Sequence, residues 1–267
     1  MTEPITLPPL HGREHIPRAR RVVVKVGSSS VSGARVSQID DLVEALSESH
    51  ARGTEVVLVS SGAIATGLPF LRLDDRPTDL ATQQAAAAVG QNVLIYRYQQ
   101  SMQRFGIVAG QVLLTAGDLE NPAHRSNAQR AMERLLGLRI LPIVNENDTV
   151  ATAEIRFGDN DRLAALVATL IRADVLILLS DVDALYTKPP HLPGALPVDR
   201  VRVDDELEGI EIGGPGEAGV GTGGAGSKIS AARVATTSGV PVLLTSTARV
   251  REALAGAPIG TWFDAAV

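Results

Sequence analysis

The sequence predicts an α/β protein, a three-layer αβα sandwich with a mainly parallel central sheet. Two observations support this fold class. Short apolar runs, rich in Val, Leu and Ile, alternate along the chain with segments in which apolar residues recur at helical spacing. Polar and apolar residues do not alternate along these runs, which indicates strands that are covered by helices on both faces.

The strongest apolar runs are predicted as strands, and they cover residues 21–27, 55–59, 107–114, 140–144, 174–179 and 240–245. The segment 38–51 is predicted as a helix because its apolar residues fall on one face. Further helices are predicted over 83–105, 128–136, 163–171 and 227–238. Residues 118–127 are polar, so we expect a loop there, and the Pro- and charge-rich residues 1–20 are predicted to form a flexible leader.

Composition excludes several classes of function. Aromatic residues make up 3% of the 267 residues, too few for a protein that stacks single-stranded bases. The net charge of -5 argues against nucleic-acid and membrane-surface partners. The chain has no cysteine, which excludes disulfides, thiolate nucleophiles and cysteine-based zinc sites. No apolar run approaches the roughly 18 residues that span a bilayer.

Two predicted strands end in groups that suit an anion. Lys25 lies among valines in a buried strand, where its charge is costly unless it is paired or bound to an anion. A lysine on an edge strand that faces water is the less favoured alternative. Ser61, Gly62 and Ala63 follow the second strand at a helix start, where several backbone N–H groups point in one direction. A simple serine helix cap is the alternative there.

Two Asn/Asp clusters flank an apolar strand and an apolar helix. Residues 145–148 (Asn-Glu-Asn-Asp) follow the strand at 140–144, and residues 158–161 (Gly-Asp-Asn-Asp) precede the helix at 163–171. In an open α/β sheet, ligands bind at the carboxyl ends of the strands, so these amides and carboxylates could hold a small zwitterion or anion. A turn followed by a helix cap explains the same residue types, and the clusters alone do not decide between the two.

The C-terminal half contains two further candidate sites. Ser180, Asp181 and Asp183 follow a buried strand and could bind a metal, a ribose or a base, or could form a solvated turn. The glycine-rich residues 213–226 lead into Ser227 and Lys228 at a helix start, which suits polyphosphate. The segment fails both the dinucleotide and the P-loop patterns, because no strand precedes it and its lysine comes one position late. A surface loop is the remaining alternative.

The residue inventory favours phosphoryl transfer to a carboxylate. Lys25 and Lys228 could neutralise a transferring phosphoryl group. The five histidines all lie outside the candidate motifs, so no histidine base is indicated. A carboxylate, with a pKa near 4.3, is already ionised at pH 7 and needs no base, whereas an alcohol acceptor usually does.

Taken in order over residues 21 to 263, these motifs resemble the amino acid kinase family, and within it the members that phosphorylate the γ-carboxylate of glutamate. The resemblance rests on eight stretches in sequence, which lie at residues 23–29, 59–65, 89–91, 110–115, 144–155, 158–161, 179–186 and 221–228. It implies the amino acid kinase (carbamate kinase-like) fold, with the acceptor bound by the N-terminal part and ATP by the part from about residue 172.

The resemblance also implies roles for individual residues. Lys25 and Lys228 would stabilise the transferring phosphoryl group, with Asp161 between them. Glutamate would be held by Ser61, Gly62, Ala63, Asn145, Asp148 and Asn160. ATP would be contacted by Lys25, Gly27, Ser28, Ser180, Asp181, Thr222, Gly223, Gly224, Ala225, Gly226, Ser227 and Lys228. Magnesium would be carried by the phosphates and water, so no protein metal ligand is nominated.

Further expectations follow from the family. They are a cytoplasmic homodimer or homotetramer, feedback inhibition by proline, and possible channelling of the product to glutamate 5-phosphate reductase. Many members carry a C-terminal PUA domain, which we do not expect in this chain. The alternatives are another acceptor on the same fold (aspartate, N-acetylglutamate, carbamate or UMP) and a non-catalytic amino-acid sensor. Retention of both lysines and Asp161 argues against a sensor.

Overall fold

The computed structural model describes residues 10–31, 38–151, 160–207, 210 and 224–266. Its strands are β1 (Arg21–Lys25), β2 (Glu55–Val59), β3 (Ala109–Leu114), β4 (Leu141–Glu146), β5 (Val175–Ser180), β6 (Leu185–Tyr186), β7 (Pro197–Val198), β8 (Arg200–Val201), β9 (Val242–Ser246) and β10 (Thr261–Phe263). Its helices are α1 (Gln38–Ala51), α2 (Ala63–Gly67), α3 (Leu80–Gln103), α4 (Ala116–Glu120), α5 (Pro122–Gly137), α6 (Asn160–Leu170), α7 (Ala225–Thr237) and α8 (Val250–Leu254).

Within the described residues, eight strands form one sheet in the order β3-β4-β2-β1-β5-β9-β10-β8. The strands pair in parallel except for β10, which runs antiparallel to β9. The predicted mainly parallel sheet is therefore confirmed. The strand that carries Lys25 lies near its centre, between β2 and β5.

Helices cover both faces of the sheet, as the uniformly apolar strands predicted. Successive residues of β1 point to opposite faces: Val22 and Val24 pack into one hydrophobic cluster and Val23 into the other. The first cluster includes side chains of α1, α3 and α8, and the second includes side chains of α5, α6 and α7. The protein is thus the predicted three-layer αβα sandwich. No described helix is both long enough and apolar enough to cross a bilayer.

Two predictions from the sequence are wrong. Residues 118–127 form helix rather than loop, because their polar side chains cap two helix starts. Thr115 and Asp118 make a reciprocal capping box at α4, and Asn121 accepts from two backbone N–H groups at the start of α5. Polar composition therefore marked the ends of helices and not their absence.

The described part of the predicted leader, residues 10–20, is packed against the domain. Arg13 is buried and lies in a 3₁₀ helix, and its guanidinium donates to the carbonyl oxygens of Asp199, Ile259 and Gly260. Those acceptors lie near β8 and β10, so Arg13 connects residues 10–20 to that edge of the sheet. The prediction of a flexible leader is wrong for these residues.

Helices α2 and α3 approach each other so closely that only glycine fits at the contact. A Cβ atom on Gly90 would lie 1.8 Å from the carbonyl oxygen of Ala63, and one on Gly67 would lie 1.9 Å from that of Ala86. Because α2 directly follows the end of β2, the contact fixes that strand end relative to α3.

We expect Gly90→Ala to lower the free energy of unfolding by about 1–3 kcal/mol, because the methyl group would force α2 and α3 apart. Gly137→Ala is the matched control, since nothing lies within 4 Å of the position of its Cβ. The control should match or exceed wild-type stability. Urea unfolding of the three proteins checks this, and equal stability of both variants would contradict the close contact.

Candidate active site

The polar residues singled out by the sequence gather at one edge of the sheet. Because β1, β2, β4, β5 and β9 are parallel, their carboxyl ends meet there. Lys25 is the last residue of β1 and pairs in register with Val59 and Leu178 of the neighbouring strands. The helix starts at Asn160 and Ala225 bring α6 and α7 to the same edge.

Asp161 lies between the two lysines. Lys25 Nζ is 2.5 Å from Asp161 Oδ1, and Lys228 Nζ is 3.4 Å from Asp161 Oδ2. Ser227 Oγ also donates to Asp161 Oδ2, at 3.0 Å. Asp161 is 1% exposed, Lys25 6% and Lys228 8%, so this is a buried cluster of one carboxylate and two ammonium groups.

The cluster sets the protonation state of Asp161. Burial of the carboxylate would raise its pKa, but the charges of Lys25 and Lys228 outweigh burial and lower the pKa to about 2. Asp161 is therefore a carboxylate throughout the physiological range. These three described side chains together carry one negative and two positive charges, and such a set suits an anion.

A second group, of neutral side chains, lies on the β2 and β4 side of the cluster. Asn160 Nδ2 donates to Ser61 Oγ at 3.0 Å and to Asn145 Oδ1 at 3.1 Å. Asn145 Nδ2 donates in turn to Gln91 Oε1 at 2.6 Å. The structure thus brings together three predicted residues, and it adds Gln91 from α3.

Gly62 has a backbone conformation that other residues rarely adopt, with φ +92°. The turn brings the strand end close to Ser28, whose Cα would lie 3.4 Å from a Cβ on Gly62. The loop after β1 and the loop after β2 are therefore in contact. Ala63 begins α2 directly after this turn.

Asp148 lies beyond the end of β4 and lines a cleft of about 210 Å³. Gln91 and Glu146 line the same cleft. Partial burial raises the pKa of Asp148 to about 6, and the charge of Arg76 opposes that rise. The structure places Asp148 beside the neutral group through Gln91, which belongs to both.

The residues expected on the nucleotide side are tied together by hydroxyl groups. Ser29 Oγ donates to Asp181 Oδ1 at 2.7 Å, and Ser30 Oγ shares a hydrogen bond of 2.8 Å with Thr247 Oγ1. Thr247 Oγ1 donates to the carbonyl oxygen of Ser180 at 3.5 Å. The 3₁₀ turn Ser28–Ser30, which follows Gly27, thus joins the ends of β5 and β9.

The other residues predicted to contact ATP lie at the start of α7. Gly224 precedes the helix, and Ala225, Gly226, Ser227 and Lys228 form its first turn. Thr222, Gly223, and the Gly158-Asp159 half of the second Asn/Asp cluster lie outside the described residues. The backbone N–H groups of this first turn can donate hydrogen bonds to an anion beside Lys228.

The sequence reasoning gave no role to Gln91, Ser29 or Thr247. A signal for Gln91 was present: it is a long polar residue on the apolar face of the alanine-rich helix α3, next to Gly90. The hydroxyl contacts of Ser29 and Thr247 join residues far apart in the chain, and local pattern does not reveal such pairs.

Within the part of the chain that the structure describes, no group of three or more His, Asp or Glu side chains converges as a protein-held metal would require. Asp181 and the neighbouring hydroxyl groups form a sparse donor set. Such a set fits a magnesium ion whose ligands are mainly phosphate oxygens and water.

Comparison with known proteins identifies the family and the fold. The model of the amino acid kinase family matches residues 20–246. The chain belongs to the amino acid kinase family. The carbamate kinase from Giardia lamblia bound to AMP-PNP has the same fold, with a TM-score of 0.67 at 17% identity over 94% of this chain and 100% of that one.

Curated relatives in the family are much more similar. The glutamate 5-kinase of Clavibacter sepedonicus is 72% identical over 94% of this chain and 96% of its own length. The glutamate 5-kinase of Leifsonia xyli subsp. xyli is 70% identical over 94% of this chain and 93% of its own length. The glutamate 5-kinase of Salinispora arenicola is 56% identical, and the match covers 94% of this chain and 69% of that protein. At these identities the chain belongs with the glutamate 5-kinases.

We expect Asp161→Asn to lower the free energy of unfolding by about 3–5 kcal/mol at pH 7, because two buried lysines lose their counter-charge. Glu120→Gln is the control: its ion pair with Arg162 is exposed, so the cost should stay below about 1 kcal/mol.

The pH dependence of this difference has a defined sign. The pKa of Asp161 is lowered from 3.8 to about 2, so its stabilisation is present above pH 4 and is lost as the pH falls towards 2. Urea unfolding at several pH values should show a constant difference from wild type between pH 5 and 8 and a smaller one below 4. A difference that grows on acidification would contradict the assignment.

Proposed function

We propose that the protein transfers the γ-phosphoryl group of ATP to the γ-carboxylate of L-glutamate, giving L-glutamyl 5-phosphate and ADP, the first step of proline biosynthesis. The observation that carries this is the buried cluster of Lys25, Asp161 and Lys228 at the sheet edge. It lies in a chain that is 72% identical to a glutamate 5-kinase over nearly the whole length of both proteins.

The reaction requires positioning and charge neutralisation more than proton transfer. An oxygen of the γ-carboxylate attacks the γ-phosphorus, a new P–O bond forms, and the bond to the oxygen that bridges the β- and γ-phosphorus atoms breaks. ADP leaves with that electron pair. The acceptor is already ionised at pH 7, so no base has to remove a proton.

In the proposed mechanism, Lys25 and Lys228 approach the phosphoryl group from β1 and from the start of α7. Their charges offset the negative charge on its oxygens, and their burial strengthens that interaction. Asp161 acts through the two lysines: it holds both ammonium groups in place and stays ionised because its pKa is about 2.

The acceptor amino acid occupies the neighbouring group of neutral side chains and the cleft beside it. Asn160 and Ser61 offer an amide oxygen and a hydroxyl group, Asn145 supports them, and Asp148 offers a carboxylate to the α-ammonium group. The backbone N–H groups of Gly62 and Ala63 can donate to a carboxylate of glutamate.

ATP occupies the opposite side of the cluster. Its phosphates would be bound by Gly27, Ser28 and the start of α7 at 224–228, with Thr222 and Gly223 assigned by the family resemblance alone, and its nucleoside would be bound by Ser180 and Asp181. Magnesium, held mainly by the triphosphate and water, supplies additional positive charge when it is bound. We extend the proposal to proline as a feedback inhibitor, to a homodimer or homotetramer in the cytoplasm, and to channelling of the product to glutamate 5-phosphate reductase.

A coupled assay for ADP release tests the function. Glutamate, aspartate, N-acetylglutamate, carbamate and UMP are offered side by side with MgATP, and hydroxylamine traps the acyl phosphate. We expect turnover with glutamate and a hydroxamate product. If only another acceptor were turned over, the proposal of glutamate as the substrate would be wrong. If glutamate bound without any turnover, the result would favour a non-catalytic amino-acid sensor.

We expect Lys228→Ala to lower kcat by about 100-fold or more, because it removes a charge that acts on the transferring group. Lys188→Ala is the control, since Lys188 lies in the Pro-rich loop and not at the cluster, and its kcat should be unchanged. Steady-state kinetics with saturating glutamate and ATP measures both. A kcat close to wild type for Lys228→Ala would remove this lysine from the mechanism.

We expect kcat/KM for glutamate to fall as the pH drops through about 6, because protonation of Asp148 removes the charge that binds the ammonium group. Asp148→Asn should lack this acidic limb and should raise KM at pH 8 by roughly 10- to 100-fold. The pH profile of kcat/KM for both proteins is the measurement. The same acidic limb in the variant would assign it to another group.

A further inference from the structure

A chain of buried amides runs from α3 to the end of β2. It begins at Gln91 Oε1, which accepts from Asn145 Nδ2, and continues from Asn145 Oδ1, which accepts from Asn160 Nδ2. It ends at Ser61 Oγ, which also accepts from Asn160 Nδ2. All four side chains are at least nine-tenths buried, so each hydrogen bond is formed away from bulk water.

The orientation of each amide in this chain is fixed by its neighbour. The backbone N–H of Glu146 donates to Asn145 Oδ1 at 3.0 Å, so that oxygen receives two donors. The NH₂ group of Asn145 must then point the other way, where it needs an acceptor, and Gln91 Oε1 is that acceptor. An Asn145 rotated by 180° would place donor against donor at two contacts.

The orientation of Asn160 follows from that of Asn145. Its NH₂ group donates to two acceptors, Ser61 Oγ and Asn145 Oδ1. Its oxygen, Oδ1, is buried and has no hydrogen-bond partner among the residues that the structure describes. A buried acceptor without a donor is costly, and a bound ligand that donates to it removes that cost.

We propose that Gln91 is a positioning residue for the acceptor amino acid: together with the backbone N–H of Glu146 it holds the amide of Asn145 in one orientation, and Asn145 in turn orients Asn160 so that Asn160 Oδ1 accepts a hydrogen bond from the substrate. The proposal rests on the proposed function. Glutamate at pH 7 carries two carboxylates, which only accept, and one ammonium group, which only donates. The ammonium group is therefore the part of glutamate that matches Asn160 Oδ1.

The backbone at Gln91 is held in a way that suits this role. Gly90, its neighbour, forms the close contact with Ala63 that locks α3 against α2. The backbone that carries Gln91 is thus held at a fixed distance from the turn that carries Ser61 and Gly62. Gln91 also lines the cleft that contains Asp148, so one side chain connects the two parts of the acceptor site.

Two substitutions of Gln91 test the proposal. Gln91→Met keeps an unbranched side chain of similar length but removes the amide acceptor. We expect KM for glutamate to rise about tenfold or more, with KM for ATP within about twofold of wild type. Gln91→Glu retains an oxygen at the same position and should return KM for glutamate to within about threefold of wild type.

A purely structural role for Gln91 predicts a different result, and Tyr98→Phe provides the comparison. Tyr98 lies on the same helix and shares a buried hydrogen bond of 3.0 Å with Ser60 Oγ, outside the amide chain. Tyr98→Phe should lower the unfolding temperature, as Gln91→Met does, while KM for glutamate stays unchanged. Thermal unfolding and kinetics of both variants separate stability from positioning.

Glutarate, which is glutamate without its α-ammonium group, gives the sharpest readout. Wild-type enzyme should prefer glutamate to glutarate, and Gln91→Met should reduce that preference about tenfold, since only the ammonium contact is lost. An unchanged preference in Gln91→Met, or no recovery in Gln91→Glu, would overturn the proposal. If the wild-type enzyme acted on a different amino acid, the proposed function would fail, and the same comparison on that acceptor would still decide the role of Gln91.

Discussion

The ion cluster around Asp161 is the interaction on which the rest of the site depends. A lysine at the end of a central strand cannot be buried alone, since desolvation of its charge costs several kcal/mol. Asp161 makes the burial of Lys25 possible, and in doing so it fixes α6 against the sheet. Lys228 then brings the start of α7 to the same carboxylate. Residues 25, 161 and 228 are far apart in the chain, so the cluster forms only when β1, α6 and α7 have packed together. Lysine occurs at only one other position, 188, and surface positive charge is otherwise supplied by arginine.

The two sides of this cluster are built by different kinds of contact. On the side of β2 and β4, the glycine contact between α2 and α3 and the amide chain from Gln91 define distances through backbone packing and directional hydrogen bonds. On the side of β5 and β9, short hydroxyl contacts of Ser29 and Ser30 connect the turn after β1 to Asp181 and Thr247. The turn at Ser28–Ser30 touches both sides, because it also packs against Gly62.

The sequence predicted the strands and their polar ends well because both follow from local pattern. Lys25 stood out since a charge among valines requires a partner, and this physical argument needs no knowledge of the fold. The partner itself, Asp161, came from family resemblance, because no local pattern links residues 25 and 161. Helix α4 and the start of α5, at residues 118–127, were predicted as loop because Asp118 and Asn121 cap helices, and such caps resemble a loop in composition. Arg13 was missed for another reason: its partners are the backbone carbonyls of Ile259 and Gly260 and the carbonyl and carboxylate of Asp199, all far away in the sequence.

Asp148 and Asp161 show how burial and neighbouring charges together set the pKa of a carboxylate at the site. Burial alone would raise the pKa of both Asp148 and Asp161. At Asp161 two lysines reverse the effect and the pKa is about 2, so that carboxylate is already matched by protein cations. At Asp148 the charge of Arg76 offsets burial only in part, and the pKa is about 6. A ligand cation stabilises such a carboxylate more than it stabilises a carboxylate whose charge is already neutralised by protein cations. The α-ammonium group of an amino acid is such a cation, so the same physical rule supports the proposed roles of Asp161 beside the phosphoryl group and Asp148 beside the amino acid.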